Sequence, residues 1–207
     1  MDWPPQPGNS ATRAVAPSVD LVPEGKERPT PGVAALLSGV RADRSHSVLD
    51  LGAAAASGLR LYGRFARRVR FADILSGDTP KKGWHTLVSA LPPQPESPYD
   101  LLFAWDILDR LFPDERPRLV ERLAEVSAAE ARLHVIVDAA ENDLRQPLRY
   151  TLLGPDRMLC EPTGPPQPAR GRILPAKLER ILKPFHVIRG FTLQGGLREY
   201  VAVRQGH

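Results

Sequence analysis

Four short segments carry the residues whose types and spacing suit ligand chemistry. The first is VLDLGAAAASG, Val48 to Gly58, which runs from an apolar stretch through a glycine into a helical pattern. Gly52 lets the backbone turn sharply, and the start of the following helix offers unpaired N–H groups and a positive dipole end to a polar ligand. Ser57 is placed to cap that helix. The second is Asp73, 23 residues after Asp50. An acidic residue about 20 positions beyond such a turn reaches the hydroxyl pair of a ribose in nucleotide-binding βαβ units; the plainer reading is a carboxylate that caps a turn. The third is YDLLFAWDILDRL, in which Trp105 and Asp106 emerge from an apolar run. Trp105 can stack on a ligand or pack as core, and Asp106 can act as a base or cap the helix before Ile107 and Leu108. The fourth is Asp138, which follows the apolar run Leu133–Val137.

Other chemistries lack their residues. His46, His85, His134, His186 and His207 are scattered without H-x-x-x-H or HExxH spacing, so no metal centre is expected. His134 falls inside an apolar run and reads as packed. Ser57 stands in A-S-G rather than G-x-S-x-G, which gives a hydrolase no support. Cys160 is the only cysteine. It excludes an intrachain disulfide and a cysteine-based zinc cluster, and with no adjacent basic group it reads as inert.

The elements that must position these segments follow from apolar periodicity. The chain has 207 residues, 42% hydrophobic and 25% charged, which suits one globular domain. Its 22 prolines and 16 glycines are unevenly spread, seven of the prolines preceding Gly32. Residues 1–32 lack apolar periodicity and cannot bury enough surface to offset an ordering cost of roughly 1–2 kcal/mol per residue. They are read as a disordered Pro-rich tail, and residues 33–207 as the folded domain. A helix is predicted from Pro31 to near Arg44, a strand over Val48–Gly52, a helix over Ser57–Ala66 with Leu59, Tyr62, Phe65 and Ala66 on one side, and a strand over Val69–Ile74. A helix around Trp84–Leu91 follows, then a strand over Tyr99–Trp105, a helix over 114–129 and a strand over Leu133–Val137. Residues 140–174, with six prolines, read as irregular. A helix at 175–183 and two strands, 185–192 and 196–204, close the chain, joined at Gly195-Gly196 as in a hairpin. This order describes an open, mostly parallel α/β sheet with an antiparallel end.

The formal net charge of +4 keeps such a domain soluble and is no nucleic-acid footprint. Arg60, Arg64, Arg67 and Arg68 fall at helical spacing on one predicted face. That face is either solvated or a surface for a phosphate group or a protein partner, as the N-terminal tail also could be. No aromatics interleave there, so nucleic acid is not expected. No apolar run approaches the ~18 residues of a membrane span, and the N-terminus does not resemble a signal peptide, so the chain reads as soluble and cytoplasmic. Oligomeric state is not legible.

The segments VLDLG, RVRFADI, YDLLFAWDILDRL, ARLHVIVDA and FHVIRGFTLQGGLREYVAVR resemble, in order and spacing, the class I S-adenosylmethionine-dependent methyltransferases over about residues 33–207. The resemblance implies a Rossmann-like, seven-stranded, mostly parallel sheet ending in an antiparallel β-hairpin. It implies that Gly52 lies under the methionine part of S-adenosylmethionine, that Asp73 binds the ribose hydroxyls and that Asp106 faces the methyl-transfer pocket. The cofactor-binding set is then Asp50, Gly52, Ala54, Ser57, Asp73 and Trp105, with Asp106 as the catalytic candidate. The sequence departs from the family at Ala54 and Ala56, where the glycine-rich turn has further glycines, and in a short middle region, 76–98. Each alanine adds a methyl where backbone approaches the ligand. Two readings therefore stand: a methyltransferase of unknown acceptor, or a methyltransferase-fold pseudoenzyme that has lost its cofactor and acts as an interaction or scaffolding subunit.

Overall fold

The apolar runs become strands buried on both faces. A computed structural model describes residues 25–74, 91–93, 97–140 and 143–206. In chain order, β1 (Lys26–Pro29) leads into α1 (Pro31–Leu37), then β2 (His46–Asp50), α2 (Ala56–Tyr62) and β3 (Ala66–Phe71). Next come β4 (Tyr99–Phe103), the single-turn α3 (Ile107–Arg110), α4 (Glu115–Glu125) and β5 (Ser127–Asp138). Four short strands follow: β6 (Leu144–Arg145), β7 (Leu148–Leu152), β8 (Arg157–Pro162) and β9 (Gln167–Pro168). The chain closes with α5 (Pro175–Ile181), β10 (Phe185–Thr192) and β11 (Leu197–Arg204).

The main sheet has the order β10-β11-β5-β4-β2-β3. β2 pairs in parallel with β3 and β4, and β4 in parallel with β5, whereas β11 is antiparallel to both β5 and β10. Val48, Leu49, Leu102, Phe103, Leu133 and Ile136 are wholly buried, as expected of parallel strands covered on both faces. The terminal hairpin forms where predicted: Gly195 and Gly196 have φ of 79° and 86°, conformations open to glycine at little cost. Among the described residues the main sheet has six strands, against the seven implied by the resemblance. The helix predicted around Trp84–Leu91 falls almost wholly outside the described residues, as do residues 1–24.

Several boundaries differ from the sequence reading. Residues 26–29 belong to the segment read as a disordered tail, yet they form β1 and pair antiparallel with β8, Lys26 opposite Cys160. α1 stops at Leu37, where Ser38 turns to extended backbone. α2 ends at Tyr62, so Leu59 is exposed while Leu61 is buried with Tyr62 and Phe65. Residues 140–174 are not irregular: β7 and β8 join β1 in a second, three-stranded sheet, and β6 pairs with β9. Their prolines hide a pattern that depends on pairing with a strand over a hundred residues away.

The arginine face is also corrected. Arg60 lies on α2 and Arg64 in the turn after it, but Arg67 and Arg68 are consecutive residues of β3 and point to opposite sides. Arg67 donates to Ser47 Oγ, and Arg68 donates to the Ser97 carbonyl and lies 4.6 Å from the centre of the Tyr99 ring. They are structural contacts of β3.

A buried polar cluster ties the N-terminal segment to the sheet. Glu199 of β11 is fully buried and accepts from Thr30 Oγ1, from Gly32 N–H at 2.6 Å and from His134 Nε2 at 3.2 Å. Burial alone would raise its pKa, but His134, Thr30 and Gly32 together hold the carboxyl below the usual glutamate range. Gly32 sits so close that a Cβ there would come within 2.8 Å of Glu199 Cβ. Gly32→Ala is therefore expected to cost ~1–3 kcal/mol by overpacking this cluster, read as a lowered midpoint in urea denaturation.

Candidate functional site

The carboxyl ends of β2, β3 and β4 lie side by side, with Asp50 in register with Phe71 on one side and Phe103 on the other. The turn after β2, the residues after β3 and Ala104–Asp106 after β4 thus emerge together. Asp73 N–H donates to the Gly52 carbonyl at 3.2 Å, which sets the second predicted segment directly against the first. The Asp73 side chain is exposed, with φ of 48° at its backbone.

Beneath this surface the Asp50 carboxylate is 4% exposed and takes three hydrogen bonds. Oδ1 accepts from Trp105 Nε1 at 2.6 Å and Gly52 N–H at 2.8 Å, and Oδ2 accepts from the Tyr62 hydroxyl at 2.7 Å. Burial raises the Asp50 pKa, opposed by the bonds from Trp105, Tyr62 and Gly52. The Trp105 indole is 1% exposed and lies parallel to the Tyr150 ring, with centroids 5.4 Å apart. Asp50 and Trp105, expected to touch a cofactor or, for Trp105, to pack as core, are buried and bonded to each other beneath the turn. Their spacing gave no sign that they bond to each other, since the contact joins two strand ends 55 residues apart.

The remaining expected residues divide similarly. Gly52 is buried, and a Cβ on it would lie 3.0 Å from Trp105 Nε1 and 3.1 Å from Asp50 Oδ1, so a side chain here would press on that pair. Ala54 is exposed on the turn. Ser57 does not cap α2: the N-cap is Ala55, with no side-chain cap hydrogen bond, and Ser57 lies within the first turn. Asp106 is nearly buried and ion-paired to Arg110 at 2.9 Å.

Next to Asp106 opens a cavity of about 630 Å³. One wall comes from the ends of β4 and β5, with Asp106, Asp109, Arg110 and Asp138. The opposite wall is the second sheet, which presents alternate residues: Lys26 and Arg28 from β1, Leu148 and Tyr150 from β7, Cys160 and Pro162 from β8. Asp138 pairs with Arg145 at 3.0 Å. Asp109 accepts the Asp138 N–H at 2.6 Å, and burial, reinforced by the Asp106 charge, lifts its carboxyl to about 7 against the opposing pull of that hydrogen bond. The Cys160 thiol is pushed up by burial to about 11, in keeping with an inert cysteine. Among the described residues no group of three His, Cys, Asp or Glu side chains is arranged to hold a metal ion, and no helix is long and apolar enough to cross a membrane.

No protein-family model and no curated protein sequence matches the chain. Solved structures do. One is the 1,6-didemethyltoxoflavin-N1-methyltransferase of Burkholderia thailandensis with bound 1,6-didemethyltoxoflavin and S-adenosylhomocysteine; the match covers 85% of this chain and 77% of that one, with 16% identity and a TM-score of 0.50. Another is the magnesium protoporphyrin IX methyltransferase of Synechocystis PCC 6803 with bound S-adenosylhomocysteine, matched over 84% and 80% with 16% identity and a TM-score of 0.51. The fold is that of the class I S-adenosylmethionine-dependent methyltransferases. Within this methyltransferase fold, Gly52 and Asp73 of the sequence reading lie side by side and Asp106 and Asp138 line the cavity, together with Asp109, Arg110, Arg145 and Tyr150, which the sequence reading did not single out. Asp109 and Arg110 stood in the quoted β4 segment, and their i,i+3 and i,i+4 spacing from Asp106 was the available signal.

Two outcomes follow from these contacts. Trp105→Phe keeps a ring against Tyr150 but removes a donor to buried Asp50, and is expected to cost ~1–3 kcal/mol in urea denaturation. Because Asp109 is a weaker acid folded than unfolded, its contribution is complete below pH about 4 and is lost as pH rises through about 7. Asp109→Asn should remove that part of the fall, so its stability relative to the parent protein should improve from pH 4 to pH 8, as followed by denaturation at a series of pH values.

Proposed function

We propose that this protein binds S-adenosylmethionine at the carboxyl edge of β2 and β3 and methylates a substrate held in the adjoining cavity. The observation that carries this reading is Asp73: an exposed carboxylate on the residue hydrogen-bonded to Gly52, in a fold shared with proteins solved with S-adenosylhomocysteine bound. Its two oxygens suit a ribose hydroxyl pair as acceptors. Both backbone polar groups of Gly52 are used within the protein, so its part is close approach, with Ala54 as the exposed wall of the turn. When bound, S-adenosylmethionine supplies an electrophilic methyl group and leaves as a neutral thioether.

The chain's own residues then need to orient the acceptor and take its proton. Alignment accounts for most of the barrier lowering in such a displacement. Asp106 is committed to Arg110 and acts as a positioning residue, while Asp109, poised near neutral pH, is the carboxyl suited to receive the proton that the acceptor loses. The competing reading is a cofactor-free interaction subunit, working through the N-terminal segment or the exposed Arg60 and Arg64. It draws on the methyls of Ala54 and Ala56 and on the indole packed against Gly52.

Calorimetric titration with S-adenosylmethionine and with S-adenosylhomocysteine separates the two. The expected result is micromolar binding, weakened by ~1–3 kcal/mol in Asp73→Ala through loss of hydrogen bonds to a charged group. Absence of heat and of thermal stabilisation at millimolar ligand would reject the methyltransferase reading and favour the interaction subunit.

A further inference from the structure

The cavity between the two sheets has a charge imbalance that narrows what it can hold. Asp106 and Arg110 neutralise each other, as do Asp138 and Arg145, and all four are tied to the wall. Arg110 also donates to the Leu148 carbonyl, and Arg145 to the Ala140 carbonyl at 2.9 Å. Three further cations line the space: Lys26, Arg28 and Arg170. Among the described residues, none of these three has a carboxylate at ion-pair distance. Arg28 gives Nη1 to the Gln194 carbonyl at 2.7 Å, while its Nε is buried without a partner. Arg170 lies 4.1 Å from the centre of the Phe112 ring. The one remaining acid, Asp109, is held partly neutral near pH 7.

The rest of the lining is uncharged: Gln146, Thr163 and Gln167 stand beside an apolar set. Pro147, Leu148, Pro162, Pro165 and Leu197 surround the space. Antiparallel register sets Lys26 opposite Cys160, and Cys160 opposite Tyr150, so one cation stands at the end of an otherwise uncharged row across the second sheet. A volume near 630 Å³ lies in the range of pockets for small organic ligands. We infer that this cavity binds an amphiphilic anion: a compact apolar body bearing one carboxylate, phosphate or sulfonate group, with that group directed at Lys26 and Arg28. That this ligand is the methyl acceptor rests on the methyltransferase reading above; the charge preference of the cavity does not.

The test uses anilinonaphthalene sulfonate and its uncharged parent, phenyl-naphthylamine, which share an apolar body and differ in the anion. Fluorescence titration should give one-to-one binding of the sulfonate, roughly tenfold tighter than the parent compound, as expected for a charge-assisted contact. Lys26→Gln with Arg28→Gln should reduce sulfonate affinity about tenfold and leave the parent compound unchanged. Because those residues lie on β1, Arg170→Gln, outside that strand, serves as a second variant with a smaller loss in the same direction. Equal affinity for the two probes, or sulfonate binding indifferent to all three substitutions, would overturn the inference. Titrating S-adenosylmethionine into the same samples keeps the two ideas apart. Cofactor binding without anion preference rejects only the ligand class, and anion preference without cofactor binding rejects only the methyltransferase reading.

Discussion

A carboxylate with almost no solvent exposure sits at the end of a central strand, and the carboxyl edge of the sheet is arranged around satisfying it. Asp50 has few ways to remain buried, since an isolated carboxylate removed from water costs several kcal/mol or takes up a proton. The chain answers with three donors from three elements: the Gly52 amide from the turn, the Tyr62 hydroxyl from α2 and the Trp105 indole from the end of β4. These bonds fix the entry angle of α2 and hold β2 and β4 level at their carboxyl ends. They also orient Gly52, whose carbonyl receives the Asp73 amide. The exposed Asp73 carboxylate therefore depends on a buried one.

The second constraint is the cover over β4 and β5. The inserted strands β7 and β8 do not form a sheet by themselves with the main one; they recruit β1, whose continuation is anchored through Thr30 and Gly32 to buried Glu199. Tyr150 of β7 then stacks on Trp105, linking the cover to the Asp50 cluster. His134 lies edge-on to the same indole, 5.5 Å between centroids, and bonds Glu199 on its other side. Two buried carboxylates, Asp50 and Glu199, are thus joined through Trp105 and His134 across β2, β4, β5 and β11. Burial prevails at Asp50 and raises its pKa, whereas at Glu199 burial is outweighed by His134, Thr30 and Gly32 together, which lower it.

The cavity is a product of both constraints. Its floor carries acids from the ends of β4 and β5, and its roof carries cations and prolines from the second sheet. Pairing within the floor uses up Asp106 and Asp138, which leaves Asp109 as the acid with altered strength and leaves the roof cations uncompensated. The carboxyl edge of β2 and β3 and the cavity meet at Trp105–Asp106, one residue facing inward to Asp50 and the next toward the cavity.

The sequence by itself determined the strand–helix order of the main sheet, because apolar period and glycine punctuation are local and the strands VLD, DLLF and LHVIV bury both faces. It also determined the closing hairpin, through Gly195-Gly196, and the two positions, Gly52 and Asp73, that end up side by side. Only the tertiary structure decided which acids are buried supports and which stay exposed or line the cavity. Asp50 and Asp106 look alike in sequence to Asp73 and Asp109, and what separates them is a partner 55 residues away in one case and an arginine on the next helical turn in the other. The second sheet was likewise hidden. Its strands are short and proline-flanked, and they become strands only by pairing β1 with β8 across more than a hundred residues, a gain in hydrogen bonding that no local pattern records.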